Sequence, residues 1–422
     1  MTLQEKDKKH VWHPFTQHFT AKEHLEIVSA KGIYLTDVDG EKYIDANSSW
    51  WVNTHGHGHP HIGEAINTQF STMDHIVFAG VTHPKAVELA DRITNLLPEH
   101  LEKVFFSDNG STAIEIAMKM VIQYFYNRGE EKSKFLAMNG SYHGDTFGAM
   151  SVGQRGYFNK PFEPFFFAVD YIDFPTSENE QAILNQAEIL FSSGEFAGLI
   201  IEPLVQGAAG MRMYSPVFLD KLTALAQKND VLIIFDEVMT GFGRTGKLFA
   251  MDFCKNKPDL VALSKGLTAG VMALGLTVAS DKIYEAFLSD DIGKALLHGH
   301  SFTANPIACA VACASLDLFE EKKTWENIDD IVTWNTSFAK ELSQFENVEN
   351  IRQQGTILAF EVKTGEGNSY FSDVKTKAYP FFLEKGILLR PLGNVIFVNP
   401  PYCITEEEYR QIKEAIVSFL KD

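Results

Sequence analysis

The sequence predicts an α/β fold, with a mainly parallel sheet in a large domain and a smaller α+β domain. Short apolar runs alternate with helical patterns through the middle of the chain, which is typical of a parallel sheet covered by helices. These runs occupy 104–106, 135–138, 199–201, 231–235 and 260–263. A chain of 422 residues with 45% hydrophobic content can bury a core in more than one lobe.

The helix after the first run has the clearest signal. One of its faces carries five apolar residues at i, i+3, i+4, i+7 and i+11: Ile114, Ala117, Met118, Val121 and Phe125. We expect Thr112 and Glu115 to form its capping box, because a threonine three residues before a glutamate is the usual signature of that motif.

The alternation of apolar runs and helical patterns ends near residue 310, where a long helical stretch begins. This change predicts a second, smaller domain. Extended runs follow at 357–362, 387–389 and 395–398. A last amphipathic helix has Thr405 and Glu408 as its capping box and an apolar face of Tyr409, Ile412, Ile416 and Leu420. We assign 56–309 to the large domain, and 1–55 with 310–422 to a small domain formed by both chain ends.

Composition argues against several classes of partner. The net charge of −18 and the pI near 5.2 disfavour nucleic acid, which is bound through clustered Lys and Arg. No apolar run approaches the roughly 20 residues that span a bilayer, and the first residues lack the apolar core of a signal peptide, so we expect a cytoplasmic protein without membrane contact.

The cysteines (Cys254, Cys309, Cys313 and Cys403) form no CxxC pair and are interpreted as buried thiols; no metal site is expected.

Polar residues at the ends of the apolar runs are the candidates for chemistry, because open parallel sheets bind ligands beyond the carboxyl ends of their strands. Asp236 is suited to keep a pyridine nitrogen protonated, and Lys265, at the mouth of a buried strand, to form a Schiff base. Residues 109–111 (Asn109, Gly110 and Ser111) lead into the predicted helix, whose N-terminus favours a phosphate. Tyr142 is placed to stack on a ring. Together they indicate pyridoxal 5′-phosphate (PLP).

The chain resembles the fold-type I, class III aminotransferases in three motifs: DEVMTGFGRTG (236–246), LSKG (263–266) and HGHSFTANP (298–306). The resemblance implies PLP linked to Lys265, with Asp236 at the ring nitrogen, Asn109 and Gly110 at the phosphate and Tyr142 on the ring. It also implies that Ser301, which follows Gly299 and His300, reaches the phosphate of a neighbouring subunit. We therefore expect a homodimer with shared active sites and small-molecule substrates.

Further segments are similar to those class members that aminate 8-amino-7-oxononanoate to 7,8-diaminononanoate in biotin biosynthesis. These segments are WHPFTQ (12–17), SSWW (48–51), YHGDTFGAMSV (142–152), GMRMY (210–214) and LRPLG (389–393). The resemblance implies that Arg390 holds the keto acid's carboxylate, that Trp50 and Trp51 line its aliphatic chain, and that Phe15, Gly299, Tyr142 and Lys265 also contact substrates.

The amino donor is left open by Phe15 and by the HGHS segment. Many members of the class, including those that use S-adenosylmethionine, have Tyr where this chain has Phe15, and both features are compatible with relatives that use lysine. The SSWW and GMRMY segments favour S-adenosylmethionine. Asn109 and Ser301 replace the Ser and Thr of many members, and both retain hydrogen-bonding capacity.

Three other interpretations compete. GFGRTG (241–246) matches the dinucleotide-binding fingerprint and follows a strand, which would suggest a nicotinamide-dependent oxidoreductase, but five residues separate the motif from the strand and no helical face follows. His55, His57, His59 and His61 in HGHGHPH would suggest a metal-binding module, although a glycine-rich turn is favoured. Within PLP chemistry, the alternative is another ω-aminotransferase acting on ornithine, acetylornithine, 4-aminobutyrate or a diamine.

Overall fold

A seven-stranded sheet forms the centre of the computed structural model, which describes residues 1–364 and 372–421. Six of its strands run parallel, and Gly275–Ser280 is antiparallel to both neighbours. In spatial order the strands are Leu101–Ser107, Gly275–Ser280, Leu260–Leu263, Leu232–Asp236, Phe196–Ile201, Lys134–Met138 and Val169–Ile172. Four of the five apolar runs that predicted this sheet lie within these strands, and the run 231–235 overlaps Leu232–Asp236 in all but its first residue, so the mainly parallel α/β architecture is confirmed.

Helices cover the sheet. The longer ones are Pro60–Thr72, Pro84–Leu96, Gly110–Asn127, Glu180–Phe191, Pro216–Lys228, Pro306–Glu320 and Lys322–Leu342. Gly110–Asn127 buries all five apolar residues that predicted it. Shorter helices are Leu3–His10, Ser48–Trp51, Phe147–Val152 and Asp281–Glu285.

The expected capping box of the helix Gly110–Asn127 is wrong. Asn109 is the N-cap: its side chain accepts from the Thr112 N–H at 3.0 Å, and the Thr112 hydroxyl accepts from the Asn109 N–H at 3.1 Å. Glu115 instead accepts from the N–H groups of Gly148 (2.7 Å) and Ala149 (3.1 Å), at the start of the helix Phe147–Val152. Asparagine is as good an N-cap as threonine, so the helix begins three residues earlier than predicted.

Both chain ends contribute to a second, smaller region. One sheet joins Ile27–Lys31, Tyr34–Asp37 and Lys42–Asp45 to Ile387–Leu388, and another joins Val348–Gln354, Ile357–Val362 and Val395–Val398. The helices Asp373–Glu384 and Glu406–Lys421 belong to this part of the chain, and the latter has the predicted Thr405–Glu408 capping box and buried apolar face. The boundary proposed at 309/310 falls inside the helix Pro306–Glu320, which packs on Pro60–Thr72 and Pro84–Leu96. The domain limits stay predictions.

Among the described residues, no helix is long and apolar enough to cross a membrane.

Candidate active site

A cavity of about 1110 Å³ opens at the carboxyl edge of the seven-stranded sheet. Parallel strands end on the same edge, so residues that directly follow them converge there. The cavity brings together most of the residues proposed from sequence: Phe15, Trp50, Trp51, Asn109, Gly110, Ser111, Tyr142, Asp236, Lys265 and Arg390.

Lys265 follows the strand Leu260–Leu263 and has a left-handed backbone conformation, with φ of 46°. Lys265 is half-buried and lines the cavity, and its amine lies 4.8 Å from the centre of the Trp51 ring. Within the described residues it makes no hydrogen bond or ion pair. Burial lowers the pKa of Lys265 to about 8, although the carboxylates of Asp236 and Glu202 act in the opposite direction.

Asp236 is the last residue of the strand Leu232–Asp236 and is 4% exposed. One of its carboxylate oxygens, Oδ2, accepts from Nδ1 of His143 at 2.7 Å, since a carboxylate only accepts. The other, Oδ1, accepts from the N–H of Val238 at 3.1 Å. Nε2 of His143 is buried without a hydrogen-bond partner among the described residues. The carboxylate is therefore fixed on two sides at the cavity wall.

Glu202 and His143 are site residues that the sequence interpretation missed. Glu202 accepts from the N–H groups of Tyr142 and Gly207, both at 3.0 Å, and its burial raises its pKa to about 7. It directly follows the strand Phe196–Ile201, so the strand-end argument that selected Asp236 also applies to it. His143 had no such signal, because its contact with Asp236 crosses 93 positions of sequence.

Tyr142 lies at the cavity, and its hydroxyl donates to Asp145 Oδ2 at 2.9 Å. Its pKa is raised, first by burial and then by the charge of Asp145. Asn109, Gly110 and Ser111 present the N-terminus of a helix of 18 residues to the same space, where unpaired N–H groups favour an anion.

The mouth of the cavity is aromatic. Phe15 lies 5.7 Å from Trp50 and 6.3 Å from Phe158 between ring centres, and the Arg390 guanidinium lies 5.4 Å from the centre of the Trp50 ring. Within residues 1–364 and 372–421, no carboxylate lies within ion-pair distance of Arg390. Trp51, by contrast, is 7% exposed and faces Lys265.

Gly299, His300 and Ser301 do not line this cavity. Gly299 and Ser301 are exposed, whereas His300 is half-buried, with Nδ1 3.5 Å from Asp108 Oδ2 and Nε2 3.2 Å from His298 Nε2. None of the three therefore belongs to the cavity lining, although Asp108, the neighbour of His300, does.

The two competing motifs have other partners. In GFGRTG, Arg244 is fully buried and donates to Asn399 Oδ1 and to two backbone carbonyls. A Cβ at Gly243 would lie 2.9 Å from Ile328, so this glycine allows packing within the protein. The histidines of HGHGHPH point to separate groups: His57 to Asp45 at 3.0 Å and His61 to Asp317 at 2.7 Å.

An unpaired amine of lowered pKa, a fixed carboxylate and a helix N-terminus around one cavity define a PLP-binding site, and the residues present fit that cofactor. The chain belongs to the class-III aminotransferases, whose family model matches residues 17–420. It is therefore a PLP-dependent aminotransferase, and the oxidoreductase interpretation is wrong.

Named relatives span almost the whole chain. It is 44% identical to the adenosylmethionine-8-amino-7-oxononanoate aminotransferase of Synechococcus elongatus, over 98% of this chain and 99% of that one. The crystal structure of the enzyme of that name from Methanocaldococcus jannaschii is similar with a TM-score of 0.94 at 37% identity, covering 99% and 98% of the two chains. The omega transaminase from Pseudomonas jessenii in complex with PMP has a TM-score of 0.92 at 27% identity, covering 100% and 98%.

Proposed function

We propose that the enzyme transfers an amino group from S-adenosylmethionine to 8-amino-7-oxononanoate, giving 7,8-diaminononanoate in biotin biosynthesis. One observation supports this proposal: two consecutive tryptophans lie between the amine of Lys265 and the unpaired guanidinium of Arg390. Trp51 lies against Lys265, and Trp50 lies against Arg390. A keto acid with an aliphatic chain needs such an arrangement, with chemistry at one end and a carboxylate anchor at the other. The name of the relatives agrees with it.

Lys265 moves the proton in this mechanism. Bound PLP withdraws electrons from the carbon that bears the substrate's amine, which makes the proton on that carbon acidic. Nζ of Lys265 would remove this proton and return it to the cofactor carbon on the other side of the substrate nitrogen. Its pKa of about 8 leaves a useful fraction of the amine neutral near physiological pH, as a general base requires.

Asp236 holds a proton on the pyridine nitrogen, because a buried carboxylate favours the charged form of an adjacent base. His143 fixes the carboxylate by donating to Oδ2, and the Val238 N–H donates to Oδ1. Tyr142, held by its hydrogen bond to Asp145, would stack on the ring. The N–H groups of Gly110 and Ser111, together with the side-chain amide of Asn109, would bind the phosphate.

The residues at the mouth of the cavity select the substrate. Arg390 pairs with the carboxylate through its planar fork, Trp50 and Trp51 pack along the aliphatic chain, and Phe15 closes the opening over the donor.

The site is completed, in this proposal, by a second subunit in a homodimer. Gly299, His300 and Ser301 lie outside the chain's own cavity, so they are free to reach the phosphate and substrate of the partner. Exposed Ile292, Leu297 and Phe302 flank them, as an interface would require. The four free cysteines, three of them buried, fit the reducing cytoplasm, which we propose as the location.

The test is a steady-state assay of purified enzyme with 8-amino-7-oxononanoate and either S-adenosylmethionine or lysine. We expect ping-pong kinetics and turnover with S-adenosylmethionine. Turnover with lysine but not with S-adenosylmethionine would support the proposed acceptor and identify lysine as the donor. Absence of 7,8-diaminononanoate with both donors, together with activity on ornithine, acetylornithine, 4-aminobutyrate or a diamine, would contradict the proposed acceptor.

A further inference from the structure

Three side chains near the start of the chain form a cluster that the aminotransferase mechanism does not use. Asp7, His13 and His24 each offer one ligand-type atom, and these atoms lie within 4.8 Å of one another. All three residues are half-buried. No spacing motif predicts the cluster, because one member lies in a helix and the other two lie in the irregular segment that follows it.

The geometry of the cluster is close to that of a metal site. Nε2 of His13 lies 3.0 and 2.9 Å from the two carboxylate oxygens of Asp7, and the rings of His13 and His24 are 4.0 Å apart between centres. Ligands of a tetrahedral zinc ion with metal–ligand distances of about 2.05 Å are about 3.3 Å from each other. The three ligand atoms lie within 4.8 Å of one another, so their separations would have to shrink by about 1.5 Å or less for all three to bind one ion.

The surrounding structure already restrains the backbone at all three ligands. Asp7 lies within the helix Leu3–His10, which has a full N-terminal capping box. The backbone carbonyl of His24 accepts from the Gln4 side chain of the same helix. The N–H of His13 donates to Nε2 of His18 at 3.0 Å, which orients the backbone of His13.

We propose that Asp7, His13 and His24 bind one Zn²⁺ ion, with water at the fourth position. Two imidazole nitrogens and one carboxylate oxygen suit zinc and neighbouring transition metals, whereas Mg²⁺ and Ca²⁺ prefer sites made of oxygen ligands. The site is separate from the PLP cavity, because none of the three ligands lines that cavity.

The ion has a structural consequence at the cavity mouth. Phe15 follows His13 by two residues, has a left-handed φ of 52° and contacts Trp50 and Phe158. Joining residues 7, 13 and 24 through one ion closes the intervening segment into two small loops, which restricts its conformations. Zinc thus fixes the segment that presents Phe15 to the substrate.

The experiment uses the full-length holoenzyme, treated with a chelator, desalted and titrated with ZnCl₂ at pH 7.5 by calorimetry. We compare wild type with His24→Gln and Asp7→Asn, and use His10→Gln as the matched control, since His10 is an exposed histidine in the same segment. Wild type and His10→Gln should bind one more Zn²⁺ per chain than His24→Gln, or bind it about tenfold or more tightly. MgCl₂ should give no corresponding binding.

Hydrogen exchange provides a second measurement that does not depend on activity. Zn²⁺ should slow exchange in residues 11–24 of wild type and of His10→Gln, and leave His24→Gln unchanged. Equal Zn²⁺ stoichiometry and affinity in all four proteins would overturn the proposal, as would equal binding of Mg²⁺. Should His24→Gln fail to fold, Asp7→Asn, which conserves the shape of the side chain, gives the same comparison.

Discussion

The base of the cavity consists of residues at the ends of strands of the seven-stranded sheet, whereas its mouth consists of residues from short segments near both chain ends. Asp236 at the base is 4% exposed and has two hydrogen bonds, while Phe15 and Trp50 at the mouth are 54% and 45% exposed and contact mainly other rings. This difference separates two kinds of function. Fixed, buried groups determine the reaction, and adaptable, exposed groups determine what enters.

The largest effect is expected at the base, for Lys265→Ala. Without the amine no group in the cavity moves the proton, so turnover should fall by about 10⁴-fold, the upper range for loss of acid–base catalysis. The variant should still bind PLP through the other contacts, which the cofactor's visible absorbance after desalting checks. Turnover within tenfold of wild type would contradict the assignment of Lys265.

Asp236→Asn should lower turnover by about 10²- to 10³-fold, because it removes the charge that keeps the ring nitrogen protonated but keeps the shape. Asp259→Asn is the matched control. Asp259 also lies beside a strand of the same sheet and accepts from the Ile233 N–H at 2.9 Å, but it does not line the cavity. The control should lose stability and keep its turnover. Equal kinetic losses in both variants would mean that Asp236 acts through folding alone.

The buried amine should also affect the stability of the cofactor-free enzyme. The pKa of Lys265 is about 8 in the fold and 10.5 in the unfolded chain, so only the unfolded chain holds this proton between those values. Below pH 8 the protonated amine therefore lowers the free energy of unfolding by its full amount. This loss of stability disappears as the pH rises to 10.5.

Lys265→Met should accordingly stabilise the cofactor-free enzyme by about 3 kcal/mol at pH 7, at 1.36 kcal/mol per pKa unit, and by about half as much at pH 9.5. Urea unfolding at the two pH values measures the difference. The exposed Lys221→Met is the control and should change stability by less than about 0.5 kcal/mol. A gain for Lys265→Met that is independent of pH would refute the electrostatic cause.

The base of the cavity was also easier to predict from sequence than the mouth. Asp236 and Lys265 directly follow apolar runs, and the sheet topology alone brings such residues to one edge. The mouth assembles Phe15, Trp50 and Arg390 from opposite ends of the chain, and no local pattern encodes that contact. Their selection therefore depended on family resemblance.

Pairwise contacts within the base were equally hidden. The bond between His143 and Asp236 and the capping of a second helix by Glu115 depend on tertiary packing. The capping box was misplaced because Thr112–Glu115 matches the usual signature, whereas the pair that forms it, Asn109–Thr112, has threonine in place of glutamate and does not match.

At the mouth, Arg390→Gln should lower kcat/KM for 8-amino-7-oxononanoate by about 10- to 100-fold, since a hydrogen bond to a charged group contributes about 1.5–3 kcal/mol. The matched control is a ketone of the same chain length without the carboxylate, for which wild type and variant should be alike. An equal loss with both acceptors would show that Arg390 supports the cavity rather than the carboxylate.

The smallest effect is expected for Phe15→Tyr. A hydroxyl at this opening adds one neutral hydrogen bond to a donor, which contributes about 0.5–1.5 kcal/mol. If S-adenosylmethionine is the donor that occupies the mouth, the ratio of its kcat/KM to that of lysine should rise by about 2- to 10-fold. Phe15→Leu is the control: it removes the contact with Trp50 and should lower the activity with either donor without changing the ratio. A tyrosine variant whose donor ratio equals that of wild type would show that the mouth selects by shape and not by hydrogen bonding.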